Sequence, residues 1–341
     1  MYPEDRRGKE KVRVTLHDVA KAAGVSKSTV SRMLDERLPR SDTEKARHVR
    51  RIAEKLGYVR DVSASSLRRG TTGMIGVIVP RLTDTVMAML YEALARAAAR
   101  TGHFTIVATT DDEPEADRKA ADALLRRGVD GLVLSTARRG SDFTAELAAR
   151  DVPYVLALRH NGRSLAAVGD DRLGGYLATR HLTDLGHRRI GILTGPDYAT
   201  SAQGRVEGYR QAMTEAGLEV DPALVVGSTF SIESGAEATQ RLLSLDAPPS
   251  AIFAVNDNTA IGALSAIARR GLSVPEDISL VGYNDIPIVS RLPVPLTTVR
   301  VPFDQIAAAA LDLLTATDLA DDDRLRVVTP SLIPRRSTAA R

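Results

Sequence analysis

The sequence predicts a small all-α headpiece followed by an α/β core built as two doubly wound parallel-sheet lobes. Three observations carry this expectation. Residues 15–34, TLHDVAKAAGVSKSTVSRML, hold two short helical periods around a glycine. From residue 73 onward, short continuous apolar runs alternate with helical periods, the pattern of parallel strands covered by helices. That alternation comes as two successive series, divided near residue 165. The expected boundaries are a flexible leader at 1–13, the headpiece at 14–58, a hinge at 59–71 and the core at 72–341. Within the core, the first lobe is expected at about 72–160 plus 287–325, and the second at about 161–286 plus 326–341.

In the headpiece, Leu16, Val19, Ala20 and Ala23 recur at i, i+3, i+4, i+7 and share one helix face. Thr15 is placed to cap that helix, and Gly24 stands where a left-handed turn is cheapest. Ser26 can cap the next helix, in which Val30, Met33 and Leu34 face inward. Lys27, Ser28, Ser31 and Arg32 share the opposite, polar and basic face. This is a helix-turn-helix whose second helix suits the major groove of DNA. A third helix is expected from Ser41 or Asp42, with Ser41 and Glu44 forming a capping box. Its inward stripe is Ala46, Val49, Ile52, Ala53 and Leu56, and Gly57 ends it. Residues 59–70, VRDVSASSLRRG, are either plain linker or a short helix that forms on DNA. Leu67 is the one large apolar residue in the second half of that segment, and in an architectural DNA-binder it could wedge into the minor groove.

The core begins with MIGVIVP at 74–80, the mark of a strand buried on both faces. Further strands are expected at 104–109, 131–135 and 153–158, with helices at about 86–100 and 114–127. The second series places strands at 189–195, 224–228, 251–255 and 278–283. Its helices are expected at about 172–185, 201–216, 231–243 and 258–270. Two such lobes bind small ligands in the cleft at the carboxyl ends of their strands.

Composition narrows the function. The 341 residues contain no cysteine, which excludes disulfides and thiolate metal sites. The first residues are charged and lack the apolar core of a signal peptide, and no run reaches a membrane span. A soluble cytoplasmic protein is the expectation. The net charge of +3 hides an asymmetry: residues 1–70 hold 18 Lys/Arg against 10 Asp/Glu, a net of +8, leaving −5 for the rest. A basic headpiece on an acidic body concentrates near nucleic acid. No P-loop, GxSxG or HExxH occurs, and the six histidines show no metal-ligand spacing. Asp111 and Asp112 sit in a polar loop and read as solvated charge. No enzyme activity, cofactor or metal is therefore expected.

At this point the chain resembles the LacI/GalR family of bacterial transcriptional repressors, over about residues 14–338. VTLHDVAKAAGVSKSTVSRML resembles the family's headpiece signature. Further marks are LATRHLTDLGHRRIGILTGP at 177–196, the set Ser201, Arg205, Gly208 and Tyr209, AIFAVNDNTAIGAL at 251–264, RGLSVPEDISLVGYNDIP at 270–287 and PLTTVR at 295–300. The resemblance implies that Lys27 and Ser28 read base edges, with Arg32 one turn further on the same face. Arginine to guanine is the commonest such contact. Thr15, Ser26, Thr29 and Ser31 would hold phosphates or cap helices. Leu67 matches the hinge leucine that intercalates at the centre of a palindromic operator. Arg159, Asp170, Arg205, Asp257 and Asn284 fall on effector-contacting positions in the cleft. Asp257 could instead cap its helix, and Arg205 could pair with a carboxylate.

Some positions depart from the family pattern. Asp84, Thr85, Val86 and Met87 stand where Asn-Pro-Phe-Phe is common, so the aromatic platform is missing there. Asn284 replaces a usual acidic residue, Leu158 a frequent aspartate, and Arg60–Asp61 a usual Pro-Asn. The implied protein is a homodimeric repressor that binds double-stranded operator DNA under control of a sugar-like effector. The other reading is a two-lobed solute-binding protein of the periplasmic type without a DNA role. Induction and corepression, and dimer and tetramer, are all compatible with the sequence, although the tail lacks heptads for a tetramerising coiled coil.

Overall fold

A computed structural model describes residues 14–35, 41–58, 71–316, 320 and 323–341. The leader and the hinge stretch with Leu67 lie outside the described residues. The chain divides into two units, Met1–Thr72 and Gly73–Arg341. Among the described residues, no helix is long and apolar enough to cross a membrane.

The first unit holds α1 (Leu16–Ala23), α2 (Lys27–Met33) and α3 (Glu44–Leu56). Thr15 and Asp18 form a reciprocal capping box on α1, and the chain turns at Gly24 with φ 65°. Ser26 caps α2 by accepting from Thr29 N. The third helix starts later than the sequence suggests. Thr43, not Ser41, is its cap, accepting from Ala46 N at 3.3 Å, while the Ser41 hydroxyl bonds that of Thr43. Val19, Ala20, Ala23, Val30, Val49 and Ala53 form the buried centre of this unit. Leu56, expected on the inward stripe, is 37% exposed.

The second unit contains two six-stranded sheets. The first comprises β1 (Met74–Val79), β2 (Phe104–Thr109), β3 (Gly131–Leu134), β4 (Tyr154–Ala157), β5 (Ala166–Gly169) and β11 (Leu325–Val328), in the order β11-β5-β4-β3-β1-β2. All its pairings are parallel. The second comprises β6 (Ile190–Thr194), β7 (Val225–Gly227), β8 (Ala251–Ala254), β9 (Ser279–Asn284), β10 (Thr297–Arg300) and β12 (Ser331–Ile333), in the order β12-β10-β9-β8-β6-β7. Only β12 runs antiparallel, against β10. Helices α4 (Thr85–Arg100), α5 (Pro114–Arg126) and α6 (Phe143–Ala149) follow strands of the first sheet. Helices α7 (Asp171–Asp184), α8 (Thr200–Glu215), α9 (Ile232–Leu243) and α10 (Asp257–Arg269) belong with the second, and α11 (Phe303–Thr315) returns to pack on α4, β4 and β5.

The lobe boundaries therefore differ from those expected. The strand at 166–169 pairs with β4, so the first lobe runs on past residue 160. Residues 297–300 pair with β9, so this part of 287–325 belongs to the second lobe. β5 lies between β4 and β11, which carries residues 325–328 into the first lobe as well, and β10 lies between β9 and β12, so backbone pairing on both sides fixes the sheet to which each strand belongs.

Two glycines set the geometry of the second lobe. A Cβ at Gly175 on α7 would meet the backbone of Arg205, and one at Gly208 on α8 would meet the carbonyl of Arg172. The two helices thus touch backbone to backbone, and only glycine permits it. Tyr209, next to Gly208, is fully buried and donates to the Ile190 carbonyl at 2.8 Å, tying α8 to β6. His187 is buried, with its ring bonded to Ser250 and Ser279 at 2.9 and 3.0 Å.

Candidate DNA-reading face and interlobe cleft

The face of α2 follows from how its ends are satisfied. The Thr15 hydroxyl accepts from Asp18 N at 3.3 Å and donates to Asp18 Oδ2 at 2.7 Å. Donation to Oδ2 from the Thr15 hydroxyl and from Thr15 N, the latter at 2.8 Å, holds the Asp18 carboxyl below the usual range. Ser26 Oγ accepts from Thr29 N at 3.2 Å and bonds the Ser28 and Thr29 hydroxyls. Both N-terminal groups are thus engaged in capping. Lys27, Ser28 and Arg32 are exposed, while Thr29 and Ser31 are half-buried. Lys27 and Arg32 form no ion pair among the described residues, so their charge is offered to solvent or to a polyanion.

In the core, a cavity of about 490 Å³ opens between the lobes. Its lining groups lie just beyond the carboxyl ends of the strands: Asp84 after β1, Asp112 after β2, Arg138 after β3 and Arg159 after β4 from the first lobe. The second lobe contributes Tyr198 after β6, Phe230 after β7, Asn256 after β8 and Asn284 at the end of β9. Arg205 and Ser201 reach the same cavity from α8.

Arg159 is buried and donates to both oxygens of Asp112, at 3.0 and 3.2 Å from Nη1. Asp112, expected as solvated charge, is 8% exposed and also accepts from Tyr198 Oη at 2.7 Å. Burial and this bond push the Tyr198 phenol up, so it stays protonated. Arg138 donates to the Asp112 carbonyl, and its guanidinium lies 3.8 Å from the Tyr198 ring centroid. Nearby, burial pushes the Asp117 carboxyl up.

Arg205 Nε donates to Asp171 Oδ1 at 2.8 Å, and its Nη1 donates to the Val255 carbonyl at 2.6 Å. The guanidinium stands 3.8 Å from the Tyr283 ring centroid. Burial raises the Asp171 pKa, against the opposing pull of the Arg205 charge. Arg205 thus pairs with a carboxylate while still lining the cavity.

Asn284 also lines the cavity, held by an unusual turn. Asn284 and Asp285 have φ of 106° and 57°, in the left-handed region that non-glycine residues rarely occupy. Arg300 and Arg335 grip Asp285 at 2.7 and 2.6 Å. Asp257 Oδ2 accepts from Ile286 N at 2.9 Å and Oδ1 from the Thr298 hydroxyl at 2.7 Å. Phe230, φ 68°, is likewise held by Asn256 Nδ2 donating to its carbonyl at 2.9 Å.

The structure therefore gathers Arg159, Arg205 and Asn284 at the cavity and leaves two expected residues out. Asp170 caps α7, accepting from Leu173 N at 2.9 Å, and the next residue, Asp171, faces Arg205 instead. Asp257 is 0% exposed and does not line the cavity; through Ile286 N it fastens the turn that carries Asn284. It does not cap α10; Asn256 does. Burial pushes the Asp257 carboxyl up to about 7. Sequence reasoning missed Tyr198, Phe230 and Asn256. The signal for them was their place directly after a strand.

A trihelical unit with a basic exposed helix, joined in one chain to a two-lobed core with a polar interlobe cavity, defines a ligand-responsive DNA-binding regulator. Comparison with known proteins sharpens the class. Residues 15–61 match the family of bacterial regulatory proteins, lacI family, and residues 179–338 match the periplasmic binding protein-like domain. The chain is 34% identical over 304 residues to the HTH-type transcriptional regulator DegA of Bacillus subtilis (strain 168), covering 87% of this chain and 89% of that one. It is 34% identical over 331 residues to the HTH-type transcriptional repressor PurR of Haemophilus influenzae (strain PittEE), covering 95% and 98%. The crystal structure of the lac repressor dimer bound to operator and the anti-inducer ONPF superposes with a TM-score of 0.84 at 28% identity, covering 96% of this chain and all of that one. The chain belongs to the LacI family and is a DNA-binding transcriptional regulator.

Proposed function

We propose that the chain is a repressor that binds a palindromic operator as a homodimer and responds to a small polyhydroxylated effector in the interlobe cleft. The observation that carries the effector reading is the cavity itself, ringed by hydrogen-bonding groups from both lobes, as a ligand with many hydroxyls requires. Because both lobes line it, a ligand that prefers one interlobe angle shifts the balance between two states of the core, and with it operator affinity. Lys27, Ser28 and Arg32 would read base edges in the major groove. Thr15, Ser26, Thr29 and Ser31 would stiffen the unit and meet phosphates through the helix ends. Leu67 would wedge into the minor groove at the operator centre. One headpiece buries too little surface for a strong site, which is the physical case for a symmetric dimer. The cleft groups serve recognition and positioning rather than catalysis.

The test is a salt titration of binding to operator and to random duplex, with and without candidate effectors. A steep loss of affinity with salt and a preference for operator are expected. Salt-independent binding of small ligands without any duplex affinity would support a solute-binding role instead.

A further inference from the structure

A second cavity, of about 680 Å³ against about 490 Å³ for the cleft, opens on the first lobe between α6 and the loop that joins β4 to β5. The two cavities share no lining residue, and the proposed role of the cleft does not involve the second.

Asn161 builds its wall. The Asn161 Nδ2 donates to the Thr144 hydroxyl on α6 and to the Ser164 hydroxyl, both at 3.0 Å. Its Oδ1 accepts from Arg163 N and Ser164 N at 3.0 and 2.9 Å. The Tyr154 and Ser164 hydroxyls bond each other at 2.9 Å. These bonds pin the loop to the helix, so the cavity is formed before any ligand enters.

The cations on this wall are left for a ligand. Arg139 and Arg163 are exposed, and their guanidiniums make no hydrogen bond or ion pair among the described residues. Arg324 joins them, reaching the Arg163 carbonyl at 3.4 Å. The Ser141 hydroxyl accepts from Phe143 N at 3.3 Å and the Thr144 hydroxyl accepts from Asn161, so each keeps its own hydrogen to donate. Two carboxylates also line the cavity, Asp142 and Asp151, at opposite ends of α6. Asp142 lies within electrostatic reach of Arg118 on α5, outside the cavity. Three guanidiniums against two carboxylates, with hydroxyl donors between them, suit a compact anion with several acceptor oxygens, as a phosphoryl group is.

The same loops touch the second lobe. Arg139 N donates to the Tyr198 carbonyl at 3.0 Å, and Thr200 Oγ1 accepts from His160 N at 3.1 Å. Arg138 and Arg159, one residue earlier in each loop, line the cleft. A ligand held by Arg139 and Arg163 therefore acts on the segments that join the lobes without entering the cleft. We infer that this cavity is a second ligand site, for a small phosphorylated metabolite, and that its occupation is coupled to operator affinity through the Arg139–Tyr198 and His160–Thr200 contacts.

The test titrates the full chain with inorganic phosphate and with pyrophosphate by calorimetry, beside the Arg139→Gln/Arg163→Gln double variant. Both side chains are exposed, so the variant should melt with the parent. Pyrophosphate is expected to bind the parent and to bind the double variant about tenfold or more weakly, the effect of losing charge-assisted bonds. Equal binding to both proteins puts the anion elsewhere, in the cleft or on the basic headpiece, and overturns the inference; so does the absence of binding of either probe at about 1 mM. Operator affinity at matched ionic strength should then change about fivefold or more with pyrophosphate in the parent and stay constant in the double variant. Pyrophosphate binding that leaves operator affinity unchanged overturns the coupling.

Discussion

Tyr198 Oη and Asp112 Oδ2 are 2.7 Å apart, and their hydrogen bond joins the second lobe to the first across the cleft. The acceptor is a buried carboxylate already clamped by Arg159, so the phenol donates into a charge-assisted arrangement rather than to water. The same tyrosine carries the Arg138 guanidinium on its ring. One side chain thus couples ring stacking, an ion pair and the relative position of the lobes.

Tyr198→Phe keeps the ring and removes the donor. The expected loss of core stability is about 1.5–3 kcal/mol, the range for a hydrogen bond to a charged group. Chemical denaturation measures it. A change below about 0.5 kcal/mol, the usual scatter for neutral surface substitutions, would show that the interlobe bond adds nothing.

Gly208→Ala tests the contact that aims Arg205. The added methyl would meet the Arg172 carbonyl and the Tyr176 backbone nitrogen, neither of which can rotate away. The helices must separate, at about 1–3 kcal/mol for such overpacking. The Arg205–Asp171 pair should loosen with them. A lowered melting temperature is expected, together with weaker effector binding. An unchanged melting temperature would mean that α7 and α8 can part without cost.

How much of this was legible beforehand depended on the kind of signal each residue carries. The headpiece was readable because Thr15, Gly24 and Ser26 act locally, within one or two turns. Strands such as Met74–Val79 were readable because burial on both faces leaves a continuous apolar run. The strand Ala166–Gly169 was not, since four small residues have no distinctive period. Its identity comes only from pairing with β4 and β11. Asp170 and Asp257 show the limit at the site. One residue of offset decides whether Asp170 or Asp171 meets Arg205, and burial depth decides that Asp257 fastens the turn carrying Asn284 rather than lining the cavity. Neither offset nor depth is written in a linear pattern. Tyr198 and Phe230 line the cavity from loops that converge only in the folded lobe.

The buried Asp257 makes stability depend on pH. Its folded-state pKa is pushed up to about 7, whereas the unfolded carboxyl titrates near its ordinary value. Below that ordinary value both states are protonated and nothing is lost. Between the two values the folded chain holds the extra proton, so stability falls as pH rises, by about 1.4 kcal/mol per unit for a single group. Above about 7 the loss is complete. Asp84, Asp117 and Asp171 are raised by burial in the same direction. Asp257→Asn should therefore reduce the slope of unfolding free energy against pH between 5 and 7 rather than abolish it. Denaturation at several pH values in that window reads the slope, and equal slopes in both proteins would place the titration elsewhere.

Arg32 and Lys27 separate base reading from charge attraction. Both are exposed on α2 and free of ion pairs among the described residues. A guanidinium can donate two parallel hydrogen bonds to the major-groove edge of guanine, whereas an ammonium acts as a point charge. Arg32→Ala should then cost about 1–3 kcal/mol on operator and much less on random duplex, so discrimination shrinks. Arg32→Lys should restore charge without restoring discrimination. If Arg32 instead meets only phosphate, both duplexes weaken equally, and the slope of log affinity against log salt falls by about one. Competition titrations at two salt concentrations distinguish the outcomes, because base contacts alter the ratio of the two affinities while phosphate contacts alter the salt slope.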